Sequence, residues 1–228
     1  MNYDWNFSRL IPYWEAFLTG TVTTITLTLV IIVIGTALGV VCGILLRRRD
    51  ARLVFYPVVD VIRAVPPLVL ILFMYYLLTE QVIGTTVEGY WVCAIALGLN
   101  LAAFTADLVR AAIDNVPRSA IEAGLALGMS RRQLMRHVIF PHVFREVLPG
   151  MTILYIGMLK LSSLASIINV RDVVYTAQTV IADVQRSLEA WSVVAIIYVL
   201  LVVPATYAAR RVEIWAGRGK QAREGAAR

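Results

Sequence analysis

The sequence predicts an all-α membrane protein with five transmembrane helices, and its composition and charge pattern both point to this class. Of its 228 residues, 59% are hydrophobic and only 16% are charged, whereas soluble domains carry about 25% charged residues. Long uncharged segments alternate with short basic ones along the chain. We therefore expect one membrane domain over residues 1–215, followed by a basic cytoplasmic tail over residues 216–228.

The apolar segments are each long enough to cross a membrane. Residues 16–46 hold no charged side chain and exceed the ~20 residues that a spanning helix needs. Gly35, Gly39 and Gly43 recur every fourth position in this segment, which favours close packing against another helix. The Pro66-Pro67 pair should break the second span. The five predicted spans cover about residues 16–46, 53–79, 89–113, 147–170 and 190–209.

Basic residues lie mostly on one side of the predicted spans. The loops after the first and third spans, together with the tail, hold most of the 21 lysines and arginines, and the loop over residues 80–88 contains none. The positive-inside rule therefore predicts an external N-terminus and a cytoplasmic C-terminus. An odd number of spans agrees, because it places the two termini on opposite sides.

The cytoplasmic loop over residues 115–145 is predicted to contain two short helices. Ser119 and Glu122 have the spacing of a capping box, and so do Ser130 and Gln133. In such a box the two side chains satisfy backbone N–H groups at the start of a helix. The loop is therefore expected to be structured.

Gly128 and Pro141 mark the expected ends of the two loop helices. Gly128 suits a left-handed position after the first helix. The second helix should end near Pro141, because proline interrupts helical hydrogen bonding. A structured loop of this kind either closes the bundle without binding anything or offers a docking surface to a partner, and both interpretations remain open from the residues.

Charged residues inside predicted spans are costly and therefore mark functional candidates. Lys160 lies in the fourth span, and Asp107 of the third span is a candidate counter-ion. Ser162 and Ser163 either line a polar pathway beside Lys160 or pack helices together. Arg63 either binds a carboxylate or anchors the second span by reaching the interface.

No motif for enzymatic chemistry or metal binding stands out. Lys160 and Lys220 are the only lysines, and neither lies in a Gly-x4-Gly-Lys-Ser/Thr phosphate-binding loop. Cys42 and Cys93 fall in apolar segments, where packing is the expected role. We expect no catalytic residue, no metal and no cofactor bound by this chain, and no nucleic-acid partner.

The loop resembles the signature of the membrane subunits of ABC transporters, Glu-Ala-Ala-x3-Gly-x9-Ile-x-Leu-Pro. The chain keeps the spacing of this signature, with Gly in place of the second Ala, Val in place of Ile and Phe in place of Leu. The matching residues are Glu122, Ala123, Gly124, Gly128, Val138, Phe140 and Pro141.

Three further segments resemble the permeases of polar amino-acid ABC importers, so the resemblance extends over roughly residues 16–207. These segments are residues 62–69, 99–110 and 159–166. They depart from the family's residues at Ala64, Val65 and Leu161, so the resemblance does not name the solute. The chain is identified as a member of the type I permease family that depends on binding proteins.

This resemblance implies a transport subunit, not an enzyme, in the bacterial inner membrane. A separate cytoplasmic ATPase would bind ATP and Mg²⁺ and would dock on the loop. The implied partners are that ATPase, a second permease subunit (identical or related), an extracytoplasmic solute-binding protein and membrane lipid. The expected docking residues are Ser119, Glu122, Ala123, Gly124, Gly128, Ser130 and Pro141, and the expected substrate-pathway residues are Arg63, Asp107, Lys160, Ser162 and Ser163.

Two other functions remain compatible with the residues. The first is an ion-coupled carrier or channel that needs no ATPase, although Asp107 is the one carboxylate found deep in a predicted span. The second is a membrane scaffold whose loop binds an adaptor.

Overall fold

Helices account for nearly all of the computed structural model, which describes residues 3–47, 49–78, 82, 84 and 87–226. No strand occurs among these residues, and the predicted loop over residues 80–88 lies mostly outside them. The α-helices are α1 (Trp14–Leu45), α2 (Arg49–Ala64), α3 (Pro67–Leu77), α4 (Gly89–Asp114), α5 (Arg118–Ala126), α6 (Arg131–Leu134), α7 (Phe140–Leu161), α8 (Val173–Val184) and α9 (Ser187–Ala226). Phe7–Tyr13 and Ser162–Ile168 form 3-10 turns, and Met135–Ile139 is π-helical.

Four described helical segments are long and apolar enough to cross a membrane, and the bent pair α2–α3 makes a fifth if it forms one broken span. These helices confirm the predicted all-α membrane fold class. The four continuous crossings are Phe7–Leu45, Gly89–Asp114, Arg131–Ile168 and Ser187–Ile214. The orientation of these crossings in the membrane stays a prediction.

The break between α2 and α3 lies at the predicted proline pair. Pro66 has an extended ψ of 137°, and Pro67 starts α3, where its missing N–H is not needed by the helix. The helix direction bends by 108° between α2 and α3. Since α3 has 11 residues and a helix rises 1.5 Å per residue, α3 is about 16 Å long and crosses only part of a ~30 Å hydrocarbon core.

The central helix of the bundle is α4, which packs along α1 through the predicted glycine seam. A Cβ at Gly35 would lie 2.6 Å from Leu101 Cβ, and one at Gly43 would lie 2.7 Å from the carbonyl oxygen of Ala106. Both distances are shorter than van der Waals contact, so only glycine allows the two backbones to approach this closely. The predicted small-residue packing is therefore confirmed.

An additional helix, α8, lies between the fourth and fifth crossings and was not predicted. Asp172 begins it, and the Asp172 side chain accepts a hydrogen bond of 2.8 Å from the backbone N–H of Tyr175. The Asp172 carboxyl is fully buried, and this burial raises its pKa to about 7. The helix packs on α1, where a Cβ on Gly20 would lie 2.9 Å from the Asp172 carbonyl oxygen.

The two cysteines are free thiols in the structure, as the sequence predicted. Cys93 is fully buried, and Cys42 is partly buried. Among the described residues, no three His, Cys, Asp or Glu side chains come together as a metal-binding group.

Candidate functional site

The first loop helix, α5, begins two residues earlier than the predicted capping box requires. Pro117 is its N-terminal cap, with an extended ψ of 127°, and its carbonyl oxygen accepts a 3.1 Å hydrogen bond from the Ala120 N–H. Ser119 therefore lies inside the helix and cannot cap it, so the predicted Ser119–Glu122 box is wrong. Glu122 has no capping role, and its side chain is exposed.

Gly128 ends this helix in the left-handed conformation, as predicted, with φ +72°. The Met129 N–H donates to the Gly124 carbonyl oxygen at 3.1 Å, and the Gly128 N–H donates to that of Leu125 at 2.9 Å. No heavy atom lies within 4 Å of a Cβ built on Gly128. The position therefore needs glycine for its backbone conformation and not for lack of space.

Gly124 holds the two loop helices together and explains one departure from the family signature. A Cβ at this position would lie 2.6 Å from Leu134 Cδ1 and 3.4 Å from Met129 Sδ. Gly124 and Leu134 are both buried. A glycine stands where the signature has alanine because Leu134 occupies that space.

The second capping box, Ser130 with Gln133, is confirmed. The Ser130 N–H donates to Gln133 Oε1 at 2.9 Å, and the Gln133 N–H donates to Ser130 Oγ at 3.4 Å. The expected end of this helix near Pro141 is wrong, because the helical run continues through the π-helical segment into α7. Pro141 follows directly after the π-helical segment Met135–Ile139, and the local change from α- to π-helical hydrogen bonding is where the run accommodates a residue without an N–H.

The loop presents large apolar side chains to solvent. Leu127 is 78% exposed and Leu125 is 54% exposed, and Ala123 is exposed beside them. Leu125 and Leu127 lie on the short helix α5 and its end, next to the exposed carboxylate of Glu122. The loop therefore exposes two leucines and one acidic residue together on a short helix.

The second predicted group of site residues separates into two cavities. The first, of about 350 Å³, is lined by Arg63, Asp107 and Arg110 together with apolar residues of α4 and α7. Asp107 forms a short ion pair with Arg63 and another of 3.1 Å with Arg110. Asp107 thus has its counter-ions in α2 and α4, and the predicted pairing with Lys160 is wrong.

The position of Lys160 explains why it does not reach Asp107. Gly150 of α7 lines the Asp107 cavity, and Lys160 follows ten residues later on the same helix, about 15 Å away along its axis. Lys160 and Ser163 instead line a second cavity of about 390 Å³ with Tyr198 of α9. Arg110 and Tyr198 are the polar residues of these cavities that the sequence did not single out, although Arg110 is charged and near a span's end.

The guanidinium of Arg63 is the most open polar group of the first cavity. Its centre lies 5.1 Å from the ring centroid of Phe104, within cation–π range. Its Nε is buried and lacks a hydrogen-bond partner among the described residues. Asp60 lies 3.9 Å from Arg63 and Asp114 lies 3.5 Å from Arg110, so both arginines of the cavity have a carboxylate partner besides Asp107.

The serines of the second group have mainly structural contacts. Ser162 Oγ donates to the Leu159 carbonyl oxygen at 2.9 Å, and Ser163 Oγ donates to that of Lys160 at 2.7 Å. Both bonds satisfy carbonyls where α7 gives way to the 3-10 turn. Ser162 is fully buried and does not line either cavity, whereas Ser163 does.

Comparison with known proteins agrees with this architecture. The family model described as "Binding-protein-dependent transport system inner membrane component" matches residues 35–214. The glutamine transport system permease protein GlnP of Escherichia coli K12 is 31% identical over 93% of this chain and 97% of its own length. The arginine transport system permease protein ArtQ of Bacillus subtilis 168 is 30% identical over the same shares of the two chains.

A solved structure extends the match to three dimensions. The chain is similar to one in the crystal structure of an amino acid ABC transporter with histidines, with a TM-score of 0.84 and 27% identity, over 92% of this chain and 99% of that one. The family match covers most of the sequence and includes the loop and both cavities. This chain therefore belongs to the inner-membrane components of binding-protein-dependent transport systems.

Proposed function

We propose that the chain is the membrane subunit of an ATP-driven importer of a polar amino acid or a related solute, and that a separate ATPase drives it by docking on residues 118–141. The observation that carries this proposal is the rigid loop with its exposed Leu125 and Leu127. Two relatives that match the chain along nearly its whole length are permeases for glutamine and for arginine, and this supports an amino-acid solute.

The docking element is α5 with the turn that follows it. Glu122, Leu125 and Leu127 are exposed and supply one charge and two apolar anchors. Gly128, Gly124 and the Ser130 capping box hold these groups in place, because they set the turn and pack the two loop helices together. The remaining docking residues shape the surface and the course of the loop helices without a required bond to the partner. They are Ser119, Ala123 and Pro141.

The connection between the loop and the bundle is direct. The helical run Arg131–Ile168 is unbroken, so displacement of the loop moves α7 as a unit. Gly150 lines the first cavity and Lys160 lines the second, and both belong to α7. Movement of the ATPase therefore changes the walls of both cavities, which is what alternating access requires of two states with different contacts.

The Arg63 cavity is suited to the carboxylate that every amino acid carries. Arg63 and Arg110 both pair with Asp107, and each has a second carboxylate within ion-pair distance, Asp60 at 3.9 Å from Arg63 and Asp114 at 3.5 Å from Arg110. A solute carboxylate would therefore bind by exchanging with one of these pairs. Guanidinium groups bind carboxylates with paired hydrogen bonds. The Lys160 cavity, with Ser163, offers further polar groups along α7.

The remaining partners follow from this role. The basic end of the bundle faces the cytoplasm by the positive-inside rule, and the membrane is the bacterial inner membrane. The ATPase holds ATP and Mg²⁺. A second permease subunit, identical or related, completes the pathway, and an external solute-binding protein delivers the solute to the opposite face.

An ion-coupled carrier is less well supported. Such a carrier needs a carboxylate whose charge state changes during transport, whereas Asp107 forms ion pairs with two arginines. A scaffold with an adaptor site explains the loop but gives no role to two polar cavities that share one helix with it.

Two glycines with the same backbone conformation provide the test. Gly128 and Gly84 both have φ +72°, and neither has an atom within 4 Å of an added Cβ. Valine strains the backbone at either position, by about 1–3 kcal/mol. In proteoliposomes with the ATPase and loaded binding protein, we expect Gly128→Val to abolish stimulated ATP hydrolysis and transport while Gly84→Val retains both.

Both variants must insert normally into the membrane and show a wild-type elution profile, so that a loss of activity reflects docking and not misfolding. Full stimulation in Gly128→Val would contradict docking through this loop. Transport by the wild-type chain without any ATPase would contradict the ATP-driven function itself.

A further inference from the structure

A deep apolar groove runs into the bundle from its basic end. Its volume is about 480 Å³, within the range of ligand pockets, ~300–1,000 Å³. The walls come from α1, α4, the π-helical segment and α7, and Val212 of α9 closes one side. It is separate from the Arg63 and Lys160 cavities, which have different lining residues.

The groove carries charge only at its mouth. Arg47, which follows the end of α1, is the one charged residue in the described lining. It forms no ion pair with another described residue. An anionic group at the entrance would therefore meet a cation without displacing a counter-ion of the described chain.

The polar side chains deeper in the groove already have partners. Thr36 and the Tyr155 hydroxyl share a hydrogen bond of 2.8 Å, and Thr152 Oγ donates to the Pro149 carbonyl oxygen at 2.7 Å. The rest of the deeper wall is aliphatic, aromatic or methionine. The interior consequently selects an apolar occupant with no polar group to satisfy.

The length of the groove matches one leaflet of a bilayer. Thr36 and Arg47 both line it, and they are eleven residues apart on or just after α1, which corresponds to about 16 Å at 1.5 Å per residue. The hydrocarbon core of a bilayer is ~30 Å thick, so one leaflet is about half of that. A lipid acyl chain whose headgroup lies at the basic interface has this reach.

We propose that this groove binds one acyl chain of an anionic phospholipid, with the net negative headgroup at Arg47. The apolar interior takes the chain, and the single cation at the mouth takes the headgroup. A bound chain fills space between α1 and α7, and it therefore contacts the helix that connects the loop to both cavities.

Photocrosslinking with two matched lipids tests the proposal in the assembled transporter. The probes are a phosphatidylglycerol and a phosphatidylcholine that carry the same diazirine at the end of one acyl chain. We expect phosphatidylglycerol to label the deep residues Met151, Thr152 and Tyr155. Labelling by phosphatidylcholine should be about fivefold weaker, the effect expected of one arginine near an anionic headgroup.

Two arginine variants separate a built site from general attraction to a basic surface. Arg47→Gln should lower phosphatidylglycerol labelling of the groove about fivefold, to the phosphatidylcholine level. Arg210→Gln, at an exposed arginine on the same end of the bundle that does not line the groove, should leave it unchanged. Equal labelling by the two lipids, or equal losses in the two variants, would overturn the proposal.

A third variant tests occupancy of the groove itself. Ile44 lines the groove and is more than half exposed, so Ile44→Trp should fill the entrance and reduce labelling while helix content and elution profile stay normal. If the wild-type groove is unlabelled and a cysteine at position 44 instead crosslinks to a second permease subunit, a protein covers the groove and the lipid proposal is wrong.

Discussion

Gly39 lies at the middle of the α1–α4 seam, and we expect an added methyl group there to destabilise the bundle. A Cβ built on Gly39 would lie 2.8 Å from the Ala102 carbonyl oxygen and still closer to Thr105 Cβ, whereas ordinary contact starts at 3.4 Å. The two helices must therefore separate by at least the difference between 3.4 and 2.8 Å, about 0.6 Å. Neither a backbone carbonyl nor a β-branched side chain on α4 can turn away to avoid this.

The magnitude follows from two opposing terms. Overpacking of a tight core costs about 1–3 kcal/mol, and replacing glycine with alanine inside a helix recovers about 1 kcal/mol. Gly157 of α7 is the matched control, because no heavy atom lies within 4 Å of its added Cβ. Gly157→Ala gains the same helix propensity without a steric clash. The free energy of unfolding of Gly157→Ala should therefore be higher than that of Gly39→Ala by about 1–3 kcal/mol.

Reversible unfolding in mixed micelles measures this difference. The purified chain is titrated with SDS at a fixed ratio to a mild detergent, and tryptophan fluorescence follows the transition. Gly39→Ala should unfold at a lower SDS fraction than the wild type, and Gly157→Ala at an equal or higher one. Equal midpoints for the two variants would refute the argument that the α1–α4 seam tolerates only glycine.

The other predictions concern the loop, the ion cluster and α8. Ser130→Ala should weaken its helix by about 1 kcal/mol and speed amide exchange over residues 131–134. Ser119→Ala removes no cap and should leave that exchange unchanged. Identical exchange in the two variants would contradict the capping assignment. Asp107→Asn removes the carboxylate that pairs with both Arg63 and Arg110 and should lower the free energy of unfolding by about 1–3 kcal/mol. Unchanged SDS midpoints would show that this carboxylate adds nothing to stability. Burial raises the pKa of Asp172 to about 7, so the folded chain binds this proton more tightly than the unfolded one, and stability should fall as the pH rises from about 4 to about 7. Asp172→Asn should remove this pH dependence of the free energy of unfolding. An unaltered profile in the variant would contradict its assignment to the Asp172 carboxyl.

The spans were predictable because their signal is local. A bilayer requires about 20 consecutive apolar residues, and charge interrupts the chain where it leaves the membrane. Gly39 could be assigned to a helix interface for the same reason, since small residues at a spacing of four lie on one helix face. The left-handed turn at Gly128 was also local, because only glycine adopts that conformation without strain.

The errors arose where a local rule competed with its neighbours. The Ser119 spacing fits a capping box, but Pro117 already supplies an extended residue and the first acceptor, so the helix starts earlier. Pro141 was expected to end a helix, yet the helical run continues through it, with a π-helical segment directly before it. Both mistakes concern a boundary, where one residue's conformation decides between two consistent patterns.

Sequence patterns could not predict which charged residues form ion pairs. Lys160 and Asp107 are opposite charges in adjacent predicted spans, and nothing in their spacing excludes a pair. The structure shows that α7 passes Asp107 at Gly150, so Lys160 lies about 15 Å further along the helix. Arg63, near the end of α2, pairs with Asp107 instead.

By itself the sequence determined that this chain is an all-α membrane protein with four or five spanning segments and a helical loop at its basic end. Those properties depend on hydrophobic length, net charge and the conformational limits of glycine and proline, which act over a few neighbouring residues. Only the tertiary structure decided which charges meet, where α8 lies and that an apolar groove opens beside Arg47. These depend on distances between helices far apart in the chain, which are set by packing at positions such as the Gly39 contact with α4.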